Sequence, residues 1–133
     1  MHKLETYIVE DSPVIRENLI ATLEELGPVK VIGSADDEAA ALAWLAQTQT
    51  HADLVIVDIF LRHGSGLGVL RGAQSLPHGA HMVVLSNYAT DDMRQHCLQL
   101  GAERVFDKSR DIEGLIAYCD QLAAEPAGRA VPG

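Results

Sequence analysis

The sequence predicts an α/β domain: a parallel sheet with helices packed on both faces. Three observations carry this. Five short aliphatic runs alternate with five amphipathic stretches from one end of the chain to the other. Two of the runs, Leu54-Val55-Ile56-Val57 and Met82-Val83-Val84-Leu85, are apolar at consecutive positions, as in strands covered on both sides. Turn and capping residues separate the runs from the helical stretches throughout.

The first run is Tyr7-Ile8-Val9, the second Val29 to Gly33, and the fifth the short Arg104-Val105-Phe106. The first helix starts at Ser12-Pro13, a capping residue followed by a proline suited to the first turn. It places Ile15, Leu19, Leu23 and Leu26 on one stripe and stops at Gly27-Pro28. The second is predicted from about Asp36 through Ala39, Leu42, Ala43, Trp44 and Ala46, with Trp44 covering core. The third follows Gly66, with Leu67, Leu70 and Ala73 on its apolar side. The fourth opens at Thr90-Asp91-Asp92, a cap and two acids at the positive helix end, carries Met93, Cys97 and Leu100, and ends at Gly101. The fifth follows Asp111 and carries Ile112, Leu115, Ile116, Cys119 and Leu122.

A length of 133 residues fits one domain with its own core. Residues 1–123 are assigned to it. Residues 124–133, with Pro126, Gly128, Pro132 and Gly133, read as a flexible tail or the remnant of a linker. No apolar stretch is long enough for a membrane span and no signal peptide is visible, so the chain is expected in the cytoplasm. The net charge of −9 repels nucleic acid and anionic membranes, and the ten Lys and Arg residues are scattered. Neither direct nucleic-acid binding nor membrane insertion is expected. Cys97 and Cys119 form no CxxC motif and read as buried reduced thiols.

In open parallel sheets ligands bind beyond the carboxyl ends of the strands. There the sequence places Glu10-Asp11 after the first strand, Asp58 after the third, Ser86 at the end of the fourth and Lys108 after the fifth. Three converging carboxylates repel unless a cation intervenes. Oxygen donors suit Mg²⁺. Lys108 supplies a fixed positive charge and Ser86 a hydrogen-bond donor. A carboxylate nucleophile, a divalent metal, an ammonium and a hydroxyl are together competent for phosphoryl transfer onto an aspartate.

From about Leu4 to Leu122 the pattern resembles the receiver domain of two-component response regulators, of the stand-alone single-domain type. The matching pieces are Glu10-Asp11, Asp58 in Val57-Asp58-Ile59-Phe60-Leu61, Gly66 eight residues on, Ser86 after Val83-Val84-Leu85, and Phe106-Asp107-Lys108. The resemblance implies a flavodoxin-like (βα)5 fold with strand order 2-1-3-4-5. It implies Asp58 as phosphoacceptor, and Mg²⁺ held by Glu10, Asp11, Asp58 and the backbone carbonyl of Phe60. Lys108 and Ser86 would stabilise the phosphoryl group, and movement of Ser86 would reshape the face of the fourth helix, fifth strand and fifth helix. The donor would be a sensor histidine kinase or a histidine phosphotransfer protein. The output would be contact with an unidentified protein or a homodimer through that same face. The domain would catalyse only its own phosphorylation and dephosphorylation.

Four positions depart from the family's common pattern. Arg62 stands where proline is frequent, Ser109 replaces the proline after the lysine, and Asn87-Tyr88 follow the switch hydroxyl in place of a small residue. Val105 occupies the usual place of the switch aromatic, and Phe106 points to the opposite side of the strand. Arg62, Asn87 and Tyr88 are candidates for tuning dephosphorylation or partner choice. Three other readings fit the residues less well. Gly64-Ser65-Gly66-Leu67-Gly68 is GxGxG after the third strand, which fits a turn and helix start better than a nucleotide-binding loop. A phosphatase of the haloacid dehalogenase type would carry an acid two residues after Asp58, where Phe60 stands. A phosphorylation-independent pseudo-receiver is opposed by the intact set of Glu10, Asp11, Asp58, Ser86 and Lys108.

Overall fold

The computed structural model describes residues 3–47, 49, 51–76 and 78–125. Five parallel strands, β1 (Leu4–Val9), β2 (Val29–Ala35), β3 (Leu54–Val57), β4 (His81–Ser86) and β5 (Arg104–Asp107), form one sheet in the order β2-β1-β3-β4-β5. The helices between and after them are α1 (Pro13–Leu26), α2 (Glu38–Leu45), α3 (Gly66–Ala73), α4 (Asp91–Gln99) and α5 (Ile112–Ala124). The fold is the flavodoxin-like arrangement with the order expected.

Strand alternation divides the core into two layers. Tyr7, Val9, Val55, Val57, Met82, Val84 and Val105 face α2, α3 and α4. Ile8, Leu54, Ile56, Val83, Leu85 and Phe106 face α1 and α5. Each large aliphatic buried this way contributes about 1.5–3 kcal/mol, which is why β3 and β4 tolerate no polar residue between their ends. Cys97 lies in one layer and Cys119 in the other, so the sheet separates the two buried thiols.

Three expectations are corrected. In α1 only Leu19 and Leu23 are buried, whereas Ile15 and Leu26 are exposed. The buried side is centred on Leu19, Leu23 and the partly buried Ile20, so Ile15 and Leu26 fall on its flank. Helix α2 begins at Glu38, two residues late, because Asp37 is extended and caps with its side chain on Ala40 N (2.8 Å). Its buried positions are Ala41 and Leu45, and the half-buried Trp44 covers core as expected, stacked flat on Tyr7 at 4.0 Å between centroids. Helix α5 includes Ala124, the first residue assigned to the tail. The rest of that tail from residue 126 lies outside the described residues.

The glycine run after β3 has a packing explanation. The Glu38 side chain lies against Gly64 and Gly68, and its Oε1 accepts from Ser65 N at 3.0 Å. A protein carboxylate thus sits at the start of α3, where a nucleotide phosphate would have to go. Gly64 has φ of +79°, which favours glycine. At Gly66 a Cβ would run into the backbone carbonyl of Asp58. Gly66→Ala should therefore lower unfolding stability in urea by about 1–3 kcal/mol, as overpacking does. The largest amide shifts in its NMR spectrum should fall at Asp58 and Ile59.

Candidate functional site

The strand order reverses at β1, so its carboxyl end and that of β3 open a crevice at a topological switch point. Glu10 follows β1 and Asp58 follows β3. Their backbones are tied to the neighbouring strands by Glu10 N to Ala35 O (2.9 Å) and Asp58 N to Val9 O (3.0 Å). Glu10 is 2% exposed and Asp58 9%. Among the described residues the buried polar side chains are Thr6, Glu10, Asp58 and Ser86, so three of the four stand on this rim.

Lys108, one residue past β5, reaches across the rim. Its Nζ lies 2.6 Å from Glu10 Oε1 and 3.0 Å from Asp58 Oδ2. The other oxygen of Glu10 accepts from Ser12 N at 3.1 Å, and the Glu10 carbonyl accepts from Arg16 at 3.0 Å. The Lys108 loop is itself fixed. Lys108 N donates to Ser86 O (3.0 Å), and Asp107 accepts from both the backbone and the hydroxyl of Ser109. Those bonds hold Asp107 below the usual carboxylate range. Ser109 thus supplies a turn anchor where the family often has proline, and no peptide bond among the described residues is cis.

Burial raises the Asp58 carboxyl above the usual aspartate range; Lys108 opposes this and the nearby Glu10 adds to it. Burial also works against charge on Lys108, but the two carboxylates outweigh it and raise its pKa. One oxygen from each of Glu10, Asp11 and Asp58 lies within 4.8 Å of the others. Three carboxylates against one ammonium leave negative charge that a cation can balance.

The structure brings together Glu10, Asp11, Asp58 and Lys108. Ser86 is fully buried at the end of β4, and its Oγ accepts from Tyr88 N at 3.1 Å. Phe60 turns its side chain outward, 53% exposed, into an edge contact with Tyr88, 63% exposed, at 5.1 Å between centroids. Tyr88 therefore does not fill the place of a buried switch aromatic. Val105 is buried on one face of β5 and Phe106 on the other, as the alternation implies. Arg62 and Asn87 are exposed on the loops beside the rim. His63 lines a recess with Asp37, Glu38 and Leu42 at the start of α2. Sequence reasoning missed the Phe60–Tyr88 contact and the bond from Arg16 to the Glu10 carbonyl. No motif marks either, because each depends on how separate segments approach.

These features define a flavodoxin-like α/β domain that gathers three carboxylates, an ammonium and a buried hydroxyl at the carboxyl rim of the sheet. A family model described as the response regulator receiver domain matches residues 6–120, and the chain belongs to that family. The domain is thus one of two-component signalling. Among curated proteins it is 31% identical over 125 residues to a probable transcriptional regulatory protein of Picosynechococcus, covering 90% of this chain and 49% of that one. It is 31% identical to a protein-glutamate methylesterase/protein-glutamine glutaminase of Anaeromyxobacter dehalogenans, covering 95% and 36%. The chain thus spans half or less of the length of these relatives. Among solved structures it resembles the signal receiver domain of the response regulator NarL from Mycobacterium tuberculosis, with a TM-score of 0.80 and 24% identity over 94% of this chain and 100% of that one. It also resembles the receiver domain of the sensor histidine kinase PA1611 from Pseudomonas aeruginosa, which carries a magnesium ion in its active-site cleft. There the TM-score is 0.77 and the identity 22%, over 92% and 99%.

Among the described residues no helix is long and apolar enough to cross a membrane.

Lys108→Met tests the electrostatics. Lys108 is the main influence lowering the Asp58 pKa, so in metal-free buffer that pKa should rise further, as followed by carboxyl ¹³C shifts. A folded-state pKa raised above the unfolded value favours the fold below the unfolded value and withdraws that support as pH climbs through the folded one. The variant should therefore lose more stability than wild type between pH 4 and neutrality. At neutral pH the variant should be about 3–5 kcal/mol less stable than wild type in all, the usual cost of removing one partner of a buried ion pair.

Proposed function

We propose that Asp58 accepts a phosphoryl group from a histidine kinase or histidine phosphotransfer protein, with Mg²⁺ bound at the same rim, and that this changes protein contacts elsewhere on the domain. The observation that carries the proposal is the Lys108 ammonium shared by two nearly buried carboxylates at the strand switch point. It keeps Asp58 beside a fixed positive charge, as an acceptor of a charged group requires.

Glu10, Asp11, Asp58 and the Phe60 carbonyl are the proposed metal ligands. An oxygen-only donor set would suit Mg²⁺, and one oxygen from each of Glu10, Asp11 and Asp58 lies within 4.8 Å of the others. When bound, the ion neutralises charge on the transferring group. An oxygen of Asp58 attacks phosphorus, the P–O bond forms, and the P–N bond to the donor imidazole breaks with its electron pair leaving on the ring nitrogen. Lys108 then moves from Asp58 toward a phosphoryl oxygen. Ser86 Oγ accepts from Tyr88 N, so its own proton remains available for another phosphoryl oxygen.

Two surfaces support partner contact. A groove lined by Ile15, Asn18, Leu19, Leu85 and Ile112 opens beside Lys108 and fits a donor protein approaching the acceptor. A second, lined by Arg94, Leu98, Arg104, Val105 and Gly114, lies on the α4-β5-α5 side assigned to output or homodimer contact.

Incubation with acetyl phosphate and Mg²⁺ should add one HPO₃ unit to the intact mass of the wild type. It should add none to Asp58→Asn or to protein held in EDTA. An unmodified wild type that also ignores beryllofluoride would sink the proposal in favour of the pseudo-receiver.

A further inference from the structure

The family's usual route from the switch hydroxyl to the output face has no aromatic side chain to run through here, because Val105 takes that place and Phe106 belongs to the other layer. The structure contains a different physical link between the same two regions. Arg94, in the first turn of α4, donates from Nε to the Ala89 carbonyl at 3.1 Å and from a terminal nitrogen to the Val105 carbonyl at 2.7 Å. Its other terminal nitrogen lies 3.5 Å from Asp111 Oδ2. One guanidinium therefore ties the loop after β4 to the backbone of the edge strand β5 and to the start of α5.

The loop is hooked to the switch residue at its other end. Ser86 Oγ accepts from Tyr88 N, Tyr88 O accepts from Thr90 N at 2.9 Å, and Ala89 between them is held by Arg94. Ser86 cannot swing toward Asp58 while its oxygen keeps Tyr88 N unless that loop follows. Following it means stretching the Ala89–Arg94 bond.

The ion pair with Asp111 is long and both side chains are more than a third exposed, so it contributes little. Asp111 is in any case engaged by Asp107 N at 2.9 Å instead of capping its own helix. The two charge-assisted bonds to carbonyls are the stronger contacts. A lysine has all its donors on one nitrogen and lacks the planar fork that directs separate nitrogens at the two carbonyls, so it holds them less firmly.

We propose that Arg94 is a positioning residue that latches the β4–α4 loop to β5 in the unphosphorylated protein. Release of its bond to Ala89 is the step that passes movement of Ser86 to the backbone at Val105. This rests on Asp58 being the phosphoacceptor. Bonds present only in the resting state oppose the switched state, so removing them shifts the population toward it.

The test is the affinity of the Mg²⁺-loaded protein for beryllofluoride, with Mg²⁺ affinity as a control, in wild type, Arg94→Ala and Arg94→Lys. Arg94→Ala should bind beryllofluoride roughly fivefold or more tightly, at the low end of ordinary coupling between sites, with Mg²⁺ affinity unchanged. Arg94→Lys should fall between the two and keeps the question answerable if the alanine variant folds poorly. The Val105 amide resonance should move on beryllofluoride binding in wild type and start near its bound position in Arg94→Ala. A wild type that binds while both variants bind equally or more weakly, whatever their melting temperatures, overturns the latch and leaves Asp58 as acceptor. A wild type that does not bind overturns both.

Discussion

The Lys108 ammonium, shared between Glu10 and Asp58, is the contact on which the rest of the rim depends. It joins the carboxyl ends of β1, β3 and β5, which occupy three different positions across the sheet. Two carboxylates this close, both nearly out of water, would repel each other and force one to protonate if the cation were removed. Much of the surrounding structure serves to keep that ammonium and those carboxylates in place. The Lys108 backbone is anchored to Ser86, the following turn is anchored by Asp107 and Ser109, and the second oxygen of Glu10 is satisfied by Ser12 N. Among the described residues no buried side-chain polar atom lacks a partner.

The acceptor side of the rim is tightly packed. Gly66 lies so close to the Asp58 carbonyl that no side chain fits, and Glu38 fills the space beside Gly64 and Gly68. Asp58 has strands on both sides and two core layers beneath it. The hydroxyl side is built differently. Ser86 is buried, but the residues after it emerge at once: Asn87 and Tyr88 are exposed, and the loop is held by individual hydrogen bonds. A charge added at Asp58 would therefore be met by movement on the β4–α4 side, where fewer contacts have to give way.

The sequence made the strand-end residues legible because each closes a short apolar run. In a parallel sheet, that position alone places them at one edge. Asp58 was the clearest, since it follows four consecutive aliphatic residues and precedes Ile59. Periodicity was a poorer guide to what a helix buries. Ile15 and Leu26 belong to the same stripe as Leu19 and Leu23, yet α1 is turned so that Leu19, Ile20 and Leu23 meet the core and the other two lie on the flank. The start of α2 was misplaced because Asp36 and Asp37 are equally plausible caps in sequence, and backbone geometry selects Asp37. The work of Glu38, Arg16 and Arg94 had no signature at all. Each acts on backbone atoms of a different segment, and backbone atoms carry no sequence signal. One departure was legible: Val105 and Phe106 lie on opposite faces of β5, as their alternation in the sequence implies.

The magnitudes on the hydroxyl side match what a switch needs. A hydrogen bond such as Ser86 to Tyr88 or Ala89 to Arg94 contributes on the order of 1 kcal/mol, somewhat more where one partner is charged. A phosphoryl group carries nearly two negative charges and can take up one to three new charge-assisted bonds. It can therefore compete with two or three such loop bonds, but not with the burial of the core strands below. If the loop were fastened by a buried aromatic packed against β5, the opposing energy would include lost apolar contact as well. Fastening it through a half-exposed arginine keeps the opposing term small and local. In this chain the β4–α4 loop is held by polar contacts of about the same size as those a phosphorylated Asp58 would offer, so under the proposed function a single charged group would suffice to change which set is made.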